Sequence, residues 1–523
     1  MLYSHKFNAC VFDTPDGAKI AAYLPAAKVL PGKIVVPCDM FNMQIMRLLG
    51  FSAMSPILLN YDWPGRHKPY THQRVMAAFL TLHPRSFNLS DIGTGKTLGT
   101  LWAADYLMRL GLVKKALVLS PLSTLRRVWE DEIFSNFLTQ RTCSILHGSR
   151  AERLARLKDD VDFYIINHDG LGVGSGHSHS GFDLGPVARA VRDRPDINLI
   201  IVDEGSVYKD GGTTRYKVLR RVVEEKPYIW WLTGTPTPND PVNAWSQARI
   251  VNKKFTESQV SFRERTMYKV TNFKWKVKSE APKIVAEALT PAIRIDRDEC
   301  LDLPECITID RDVEFTPAQK KAYDELKKTA RVMVGAGKID AVNEAVLRMK
   351  LIQICCGAVY DAKREVHKID CAPRLSVAKE IIEQAHGKVI VFAPLTSVVN
   401  LLYYELSKEY SVEKVNGEVS ASKRGEIFRA FQQEKEPRII VADPRTMAHG
   451  LTLTEAATII WYGPTDQSEV YTQANGRINR PGQKRKMLVA RLSATALERG
   501  IYAERDGDQK MQNLVLALAK EGM

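Results

Sequence analysis

Short, nearly continuous apolar runs, separated by longer stretches of helical spacing, dominate the chain. Between residues 67 and 250 these runs are 116–119, 163–166, 199–202 and 228–232. An apolar run without alternation marks a strand buried on both faces. Such strands alternating with helices predict a parallel α/β sheet covered by helices. The pattern returns from about 386 to 492, with runs at 389–392, 439–442, 458–461 and 487–492. Between the two blocks, 316–352 reads as mostly helical, with Ala322, Leu326, Val332, Val346, Leu347 and Leu351 as its apolar residues. No short tandem repeat is present. The predicted fold class is α/β, with two tandem lobes on parallel sheets. Residues 1–66 form a small α+β N-terminal domain, and 67–250 the first lobe. A basic and aromatic insertion with a linker spans 251–300. The second lobe covers 301–523 and carries the helical insertion 316–352.

Within 1–66, apolar-rich runs at 8–12 and 19–24 flank Thr14-Pro15-Asp16-Gly17, which predicts a β-hairpin. A third strand is expected at 33–36. Met43, Ile45, Met46 and Leu49 give 42–49 helical spacing, and Trp63-Pro64-Gly65 reads as a boundary. The stretch 170–185 is rich in Gly, Ser and His and is expected to be a loop. His168, His177 and His179 lack a carboxylate or cysteine at ligand spacing, so a solvated loop is favoured over a metal site.

Length and charge narrow the picture. A chain of 523 residues exceeds one core and predicts two to four domains. A net charge of +14 suits a polyanionic partner, of which nucleic acid is the commonest. Of the eight cysteines, Cys10, Cys38, Cys143 and Cys371 stand alone and Cys355-Cys356 are adjacent. No CxxC pair occurs, which excludes the usual zinc spacing. No apolar run reaches about 18 residues, and the first residues lack a signal pattern. The expectation is a cytoplasmic, reduced protein with no membrane partner.

Candidate chemistry begins at 90–97, Ser-Asp-Ile-Gly-Thr-Gly-Lys-Thr. This matches the phosphate-loop pattern GxxxxGK[ST] except that Ser90 replaces the first glycine. Ile92, Gly93, Thr94 and Gly95 would bring backbone amides to phosphate oxygens, aided by the positive end of the helix that follows. Lys96 would neutralise the β- and γ-phosphates of ATP, and Thr97 would ligate Mg2+. The strand 199–202 then delivers Asp203 and Glu204 at its carboxyl end. Asp203 would hold the Mg2+ through water, and Glu204 would deprotonate the attacking water. In 473–480, Gln-Ala-Asn-Gly-Arg-Ile-Asn-Arg, Arg477 and Arg480 are three apart and would share a helix face. Placed across a cleft, they would act as arginine fingers, each typically worth about 10³–10⁵ in rate.

With these residues assembled, the chain resembles the SNF2 family of superfamily 2 helicase-like ATPases. The likeness runs from about 68 to 518 in the family's motif order. PYTHQ at 69–73 is similar to the motif whose glutamine, here Gln73, reads adenine. DIGTGKT at 91–97, SPLSTLRRVWEDE at 120–132 with Trp129 and Glu132, VDEGS at 202–206 and LTGTPTPND at 232–240 follow. FAPLTS at 392–397, ADPRTMAHGLTLTEA at 442–456 and QANGRINRPGQ at 473–483 complete the set. The resemblance implies two RecA-like lobes, ATP turnover stimulated by nucleic acid, and Gly450 among the nucleotide-binding residues. Gly205-Ser206 departs from the family's Ala-His and puts the usual contact to Thr233 in question. The compact length is similar to the phage-encoded and annealing-helicase branch, whose members rewind strands or move forks. A bacterial or phage-infected cytoplasm and a monomer are the corresponding expectations.

By the same resemblance, Ser123, Thr124, Thr235 and Thr446 lie in motifs that contact the nucleic-acid backbone, and Arg150 adds a phosphate contact. Such contacts ignore base sequence, as tracking requires. In 267–278, Phe273, Trp275 and Val277 alternate with Lys274, Lys276 and Lys278. Period two separates the aromatics from the lysines. The segment is either a DNA-gripping hairpin or an edge strand with solvated lysines. The leading function is a double-stranded DNA translocase that remodels forks, branched DNA or strand pairing in replication, recombination or repair. A strand-separating DNA helicase, an RNA-dependent ATPase and a catalytically weak nucleic-acid-binding regulator are the alternatives. Residues 1–66 are left with a junction-binding, partner-binding or covering role.

Overall fold

In the computed structural model of the chain, residues 1–66, 68–178, 181–238, 240–271, 275–300, 303–335, 341–360, 365–447 and 452–521 are described. The chain divides into two compact units, Met1–Cys300 with Gln512–Met523, and Leu301–Met511. Among the described residues, no helix is long and apolar enough to cross a membrane.

The first unit opens with four antiparallel strands, β1 (Leu2–Ser4), β2 (Ala9–Asp13), β3 (Lys28–Leu30) and β4 (Lys33–Pro37), in the order β1-β2-β4-β3. The expected strand at 19–24 is instead part of a short helix, Gly17–Ala21, and the turn after it. The physical reason is local. The run is alanine-rich, and Ile20 and Leu24 are buried at i,i+4 spacing, one helical turn apart. β2 therefore pairs with β1 and with the third predicted strand, β4. The expected helix is present at Met40–Leu48, capped by Asp39, whose side chain accepts from the Asn42 amide at 2.9 Å.

Trp63-Pro64-Gly65 is an anchor in this structure. Trp102 donates through Nε1 to the Pro64 carbonyl at 2.8 Å, and Trp63 packs edge-on against Trp102. Tyr61 donates to the buried Asp105 at 2.6 Å, and Arg109 and Arg141 pair with the same carboxylate. One apolar core thus runs from Cys10, Phe12 and Met43 through Trp102 to Val118 and Ile201.

Among the described residues, the main sheet of this unit has seven strands, all parallel. They are β5 (Arg85–Asn88), β6 (Lys115–Ser120), β7 (Cys143–Ile145), β8 (Phe163–Asn167), β9 (Ile197–Asp203), β10 (Tyr228–Leu232) and β11 (Ala292–Ile293). Their order is β11-β5-β10-β9-β6-β8-β7. Leu199 to Val202 are fully buried, as a run covered on both faces requires. The expected loop at 170–185 contains a small hairpin, Gly176–Ser178 with Gly181–Asp183. His168 is buried against Tyr208, His177 sits beside Lys217, and His179 lies outside the described residues. The insertion forms a second hairpin, Met267–Lys269 with Trp275–Val277.

Among the described residues, the second unit is built on six parallel strands: β12 (Cys306–Asp312), β13 (Lys388–Phe392), β14 (Val412–Val415), β15 (Ile439–Ala442), β16 (Ala456–Trp461) and β17 (Met487–Ser493). Their order is β12-β17-β16-β13-β15-β14. Alternate residues of β13 and β16 feed two cores. Val389, Val391 and Ile460 face one, and Ile390, Phe392 and Trp461 the other. The helices Pro317–Gly335 and Ala341–Cys355 account for the predicted helical stretch. Arg374 and Glu498 form a fully buried bidentate pair, both contacts at 2.8 Å.

Candidate active site

Because the seven strands of the first unit are parallel, their carboxyl ends share one edge, where ligands of such sheets collect. Register brings the candidate residues together there. Asn88 stands beside Leu232, Leu232 beside Asp203, and Ser120 follows Leu119, the neighbour of Val202.

β5 leads into the 89–95 loop and the 14-residue helix Lys96–Arg109. Gly93 and Gly95 have φ of 89° and 77°, the left-handed region that only glycine enters freely. A Cβ at Gly95 would land on Gln73 Nε2, so the buried Gln73 lies directly against the loop. The Tyr70 amide donates to Gln73 Oε1 at 3.0 Å and holds it there. Thr94 is buried and donates to the Asp91 carbonyl, while Ile92 and Thr97 are half-buried. Lys96 Nζ donates to the carbonyls of Ser90 at 2.7 Å and Asp91 at 3.2 Å. Burial lowers its ammonium pKa against the pull of Glu204, Asp203 and Asp91.

Ser90 has a structural reason to differ from glycine. It is fully buried, and its hydroxyl accepts the Ile295 amide at 3.2 Å. Arg294, just after β11, donates to the Leu89 carbonyl at 2.7 Å and pairs with Asp91 and Asp296, each at 2.8 Å. The edge strand thus braces the phosphate loop from a segment some two hundred residues away in sequence. Sequence reasoning missed Arg294, because nothing in its spacing points to the loop.

Asp203 ends β9. Its Oδ2 accepts from Trp129 Nε1 at 2.9 Å and from Ser120 Oγ at 3.1 Å. Burial and the adjacent Glu204 charge push its carboxyl up to about 6, against the opposing effects of Trp129, Lys96 and Ser120. Glu204 sits at φ 50° and ψ 51°. That left-handed conformation costs a non-glycine residue about 1–3 kcal/mol and clusters at functional sites. A Cβ at Gly205 would fall inside the Trp231 indole, which explains glycine there. Ser206 is fully buried. Hard oxygen donors from Thr97, Asp203 and Glu204 near an ammonium fit Mg2+, which takes one or two carboxylates and completes its shell with water and substrate phosphate.

In the second unit, the helix Ser468–Asn475 stops before the two arginines, at Gly476. Arg477 and Arg480 therefore occupy the turn that follows and do not share a helix face. Arg477 is buried. Arg480 donates to the Gly476 carbonyl at 3.0 Å and to Thr452 Oγ1 at 3.2 Å. Gln483 braces this turn by donating to the carbonyls of Ala456 and Ile478. The Thr446 hydroxyl donates to the Asp443 carbonyl at 2.7 Å, and Gly450 lies outside the described residues.

The remaining candidates divide by exposure. Ser123, Arg150 and Lys276 are exposed, whereas Thr124 and Thr235 are buried. Lys278 is half-buried and donates to the Glu264 carbonyl at 2.6 Å. Trp275 is half-buried beneath the Arg263 guanidinium, Val277 is exposed, and Phe273 and Lys274 lie outside the described residues.

Comparison with known proteins gives the chain a family. A family model described as SNF2-related domain matches residues 88–359, and one described as helicase conserved C-terminal domain matches 373–482. The chain is 24% identical to "Putative protein p41" of Acyrthosiphon pisum secondary endosymbiont phage 1 over 476 residues, 86% of this chain and 98% of that protein. It is 24% identical to "ATP-dependent DNA helicase DDM1" of Arabidopsis thaliana over 82% of this chain and 58% of that protein. For an "Uncharacterized ATP-dependent helicase" of Mycoplasma pneumoniae the identity is 23%, over 77% of this chain and 37% of that protein. The solved SWI2/SNF2 ATPase core of Sulfolobus solfataricus in complex with dsDNA shares 20% identity over 87% of this chain and 97% of that one, with a TM-score of 0.39. The SNF2-related match alone spans more than half of the 523 residues and takes in the phosphate loop and both acidic residues, so the chain belongs to the SNF2 family of ATP-dependent, helicase-like enzymes with two RecA-like lobes.

Proposed function

We propose that this enzyme couples ATP hydrolysis to movement along duplex DNA and remodels forks, branched intermediates or strand pairing. The observation that carries the reading is the convergence of Lys96, Asp203 and Glu204 at one sheet edge, beside a glycine loop that heads a long helix. The loop amides and helix N-terminus attract phosphate oxygens. Lys96 neutralises charge on the β- and γ-phosphates, and Glu204 accepts the proton of the attacking water. Gln73 is assigned to adenine. Thr97 and, through water, Asp203 would hold Mg2+, which supplies further charge neutralisation when bound. Arg477 and Arg480 are assigned to the γ-phosphate, and Gly450 to the nucleotide, on the family pattern.

Ser123, Arg150, Thr446 and the lysines Lys274, Lys276 and Lys278 are assigned to the DNA backbone; Thr124 and Thr235, being buried, are not. The net charge of +14 supports a polyanionic track. The Arabidopsis relative is named a DNA helicase, which favours DNA over RNA. The phage relative, spanned almost completely, supports a compact member of the family.

The test is ATP hydrolysis measured with single-stranded, duplex and forked DNA and with RNA, beside Glu204→Gln as control. Strong stimulation by duplex or forked DNA is expected. Stimulation by single strands alone would move the reading to a strand-separating helicase, and stimulation by RNA alone would overturn it.

A further inference from the structure

Residues 120–130 have an outward side and an inward side. Leu122, Ser123, Arg126 and Arg127 are exposed. Ser120, Thr124 and Trp129 are buried. Leu125–Glu130 winds as a π-helix, a form uncommon enough to mark functional positions. Its wide turn brings the Val128 and Trp129 amides to the same carbonyl, that of Thr124, at 3.1 and 3.2 Å.

On the inward side, Thr124 Oγ1 lies 2.5 Å from Ser120 Oγ. Ser120 Oγ donates to Asp203 Oδ2 at 3.1 Å, and Trp129 Nε1 donates to the same oxygen at 2.9 Å. The two donors enter from opposite ends of one short turn and meet on one carboxylate oxygen. Donors to a charged acceptor are the strong class of hydrogen bond, so a small shift of the turn changes how firmly Asp203 is held.

We infer that this turn is the link through which nucleic acid controls hydrolysis. Phosphate contact by Ser123, Arg126 and Arg127 sets the turn. Ser120 and Trp129, as positioning residues, pass its state to the Asp203 carboxylate. The inference rests on the proposed function, in which Ser123 contacts the nucleic-acid backbone and Asp203 serves the ATP site. Arg126 and Arg127 join the backbone contacts because both stand exposed next to Ser123.

The experiment uses the full chain and the variants Ser120→Ala, Trp129→Phe and Arg126→Glu/Arg127→Glu. Each is assayed for hydrolysis without nucleic acid, for hydrolysis with saturating duplex DNA, and for duplex affinity by anisotropy across salt concentrations. Losing one donor to a charged group is expected to cut the ratio of stimulated to unstimulated rate about tenfold in Ser120→Ala and Trp129→Phe. Their duplex affinity should stay within about twofold of wild type, since neither variant removes a phosphate contact. The double arginine variant should bind duplex more weakly and lower the salt slope by about two. Ser120→Ala leaves the core volume nearly intact, so it keeps the test decisive should Trp129→Phe unfold. A stimulated wild type with an unchanged ratio in Ser120→Ala overturns the link alone. Equal loss of both rates in that variant also overturns it, because a merely structural hold on Asp203 would do the same. A wild type that no nucleic acid stimulates overturns the proposed function and this link with it.

Discussion

Gly205→Ala should damage both stability and hydrolysis, although alanine is the residue the family usually carries there. The added Cβ would sit inside the Trp231 indole. That ring is fully buried, and its Nε1 donates to Gln247 Oε1 at 2.9 Å. Gln247 is itself fixed by donating to the carbonyls of Pro236 at 2.6 Å and Asn243 at 2.9 Å. The ring therefore has nowhere to go without breaking a buried hydrogen bond. Overpacking costs about 1–3 kcal/mol, and a stranded buried polar group about 1–3 kcal/mol more. The reduced entropy of the unfolded chain returns about 0.4–1 kcal/mol. The net expectation is a loss of roughly 1–5 kcal/mol. Glu204 precedes this site in a left-handed conformation, so displacement also moves the proposed general base and should lower the hydrolysis rate. Denaturant unfolding followed by tryptophan fluorescence measures the first effect, and phosphate release the second. Combining Gly205→Ala with Trp231→Leu makes room for the Cβ, so the double variant should lose less than the sum of the singles by at least about 1 kcal/mol. Strict additivity, or a Gly205→Ala protein as stable as wild type, would refute the packing argument.

Three further outcomes follow from the geometry. Lys96→Ala, Glu204→Gln and Arg480→Ala should each reduce hydrolysis by about 10³ or more in a phosphate-release assay, and full activity in any one removes that residue from the site. Glu498→Ala strands the fully buried Arg374 guanidinium, whose partner it is at 2.8 Å, and should cost about 3–5 kcal/mol by denaturant unfolding. His83 is held neutral: burial lowers its pKa to about 4, while Nδ1 contacts the Phe79 carbonyl and Nε2 accepts from Arg47. The unfolded chain takes up the proton first, so stability present above pH about 6.5 is lost as pH falls toward 4, by up to about 3 kcal/mol. His83→Gln should flatten that part of the stability–pH curve.

That the candidate residues gather at one sheet edge was legible in the sequence because they lie in local patterns. The glycine loop before a helix and the acidic pair after a wholly apolar strand needed no tertiary information. The parallel sheets followed from apolar runs that no half-exposed strand would carry. What stayed hidden depends on contacts between distant residues. Ser120 and Trp129 reach Asp203 across 83 and 74 residues, and Arg294 reaches Leu89 across 205. The glycine at 205 was visible as a departure, but its cause lies in Trp231, on the neighbouring strand. The 19–24 run misled because helix propensity outweighed an apolar content that resembled a strand. The helix face expected for Arg477 and Arg480 failed because the helix ends at Gly476. Trp63-Pro64-Gly65 has the composition of a boundary, yet its aromatic ring and carbonyl are held by Trp102, and 1–66 shares the core of the lobe that follows.

A duplex translocase must move along an intact duplex as it turns over ATP. Displacement of a triplex-forming oligonucleotide from duplex DNA reads that movement without requiring strand separation. Displacement should need ATP and disappear in Glu204→Gln. Robust DNA-stimulated hydrolysis with the triplex left in place would contradict duplex translocation.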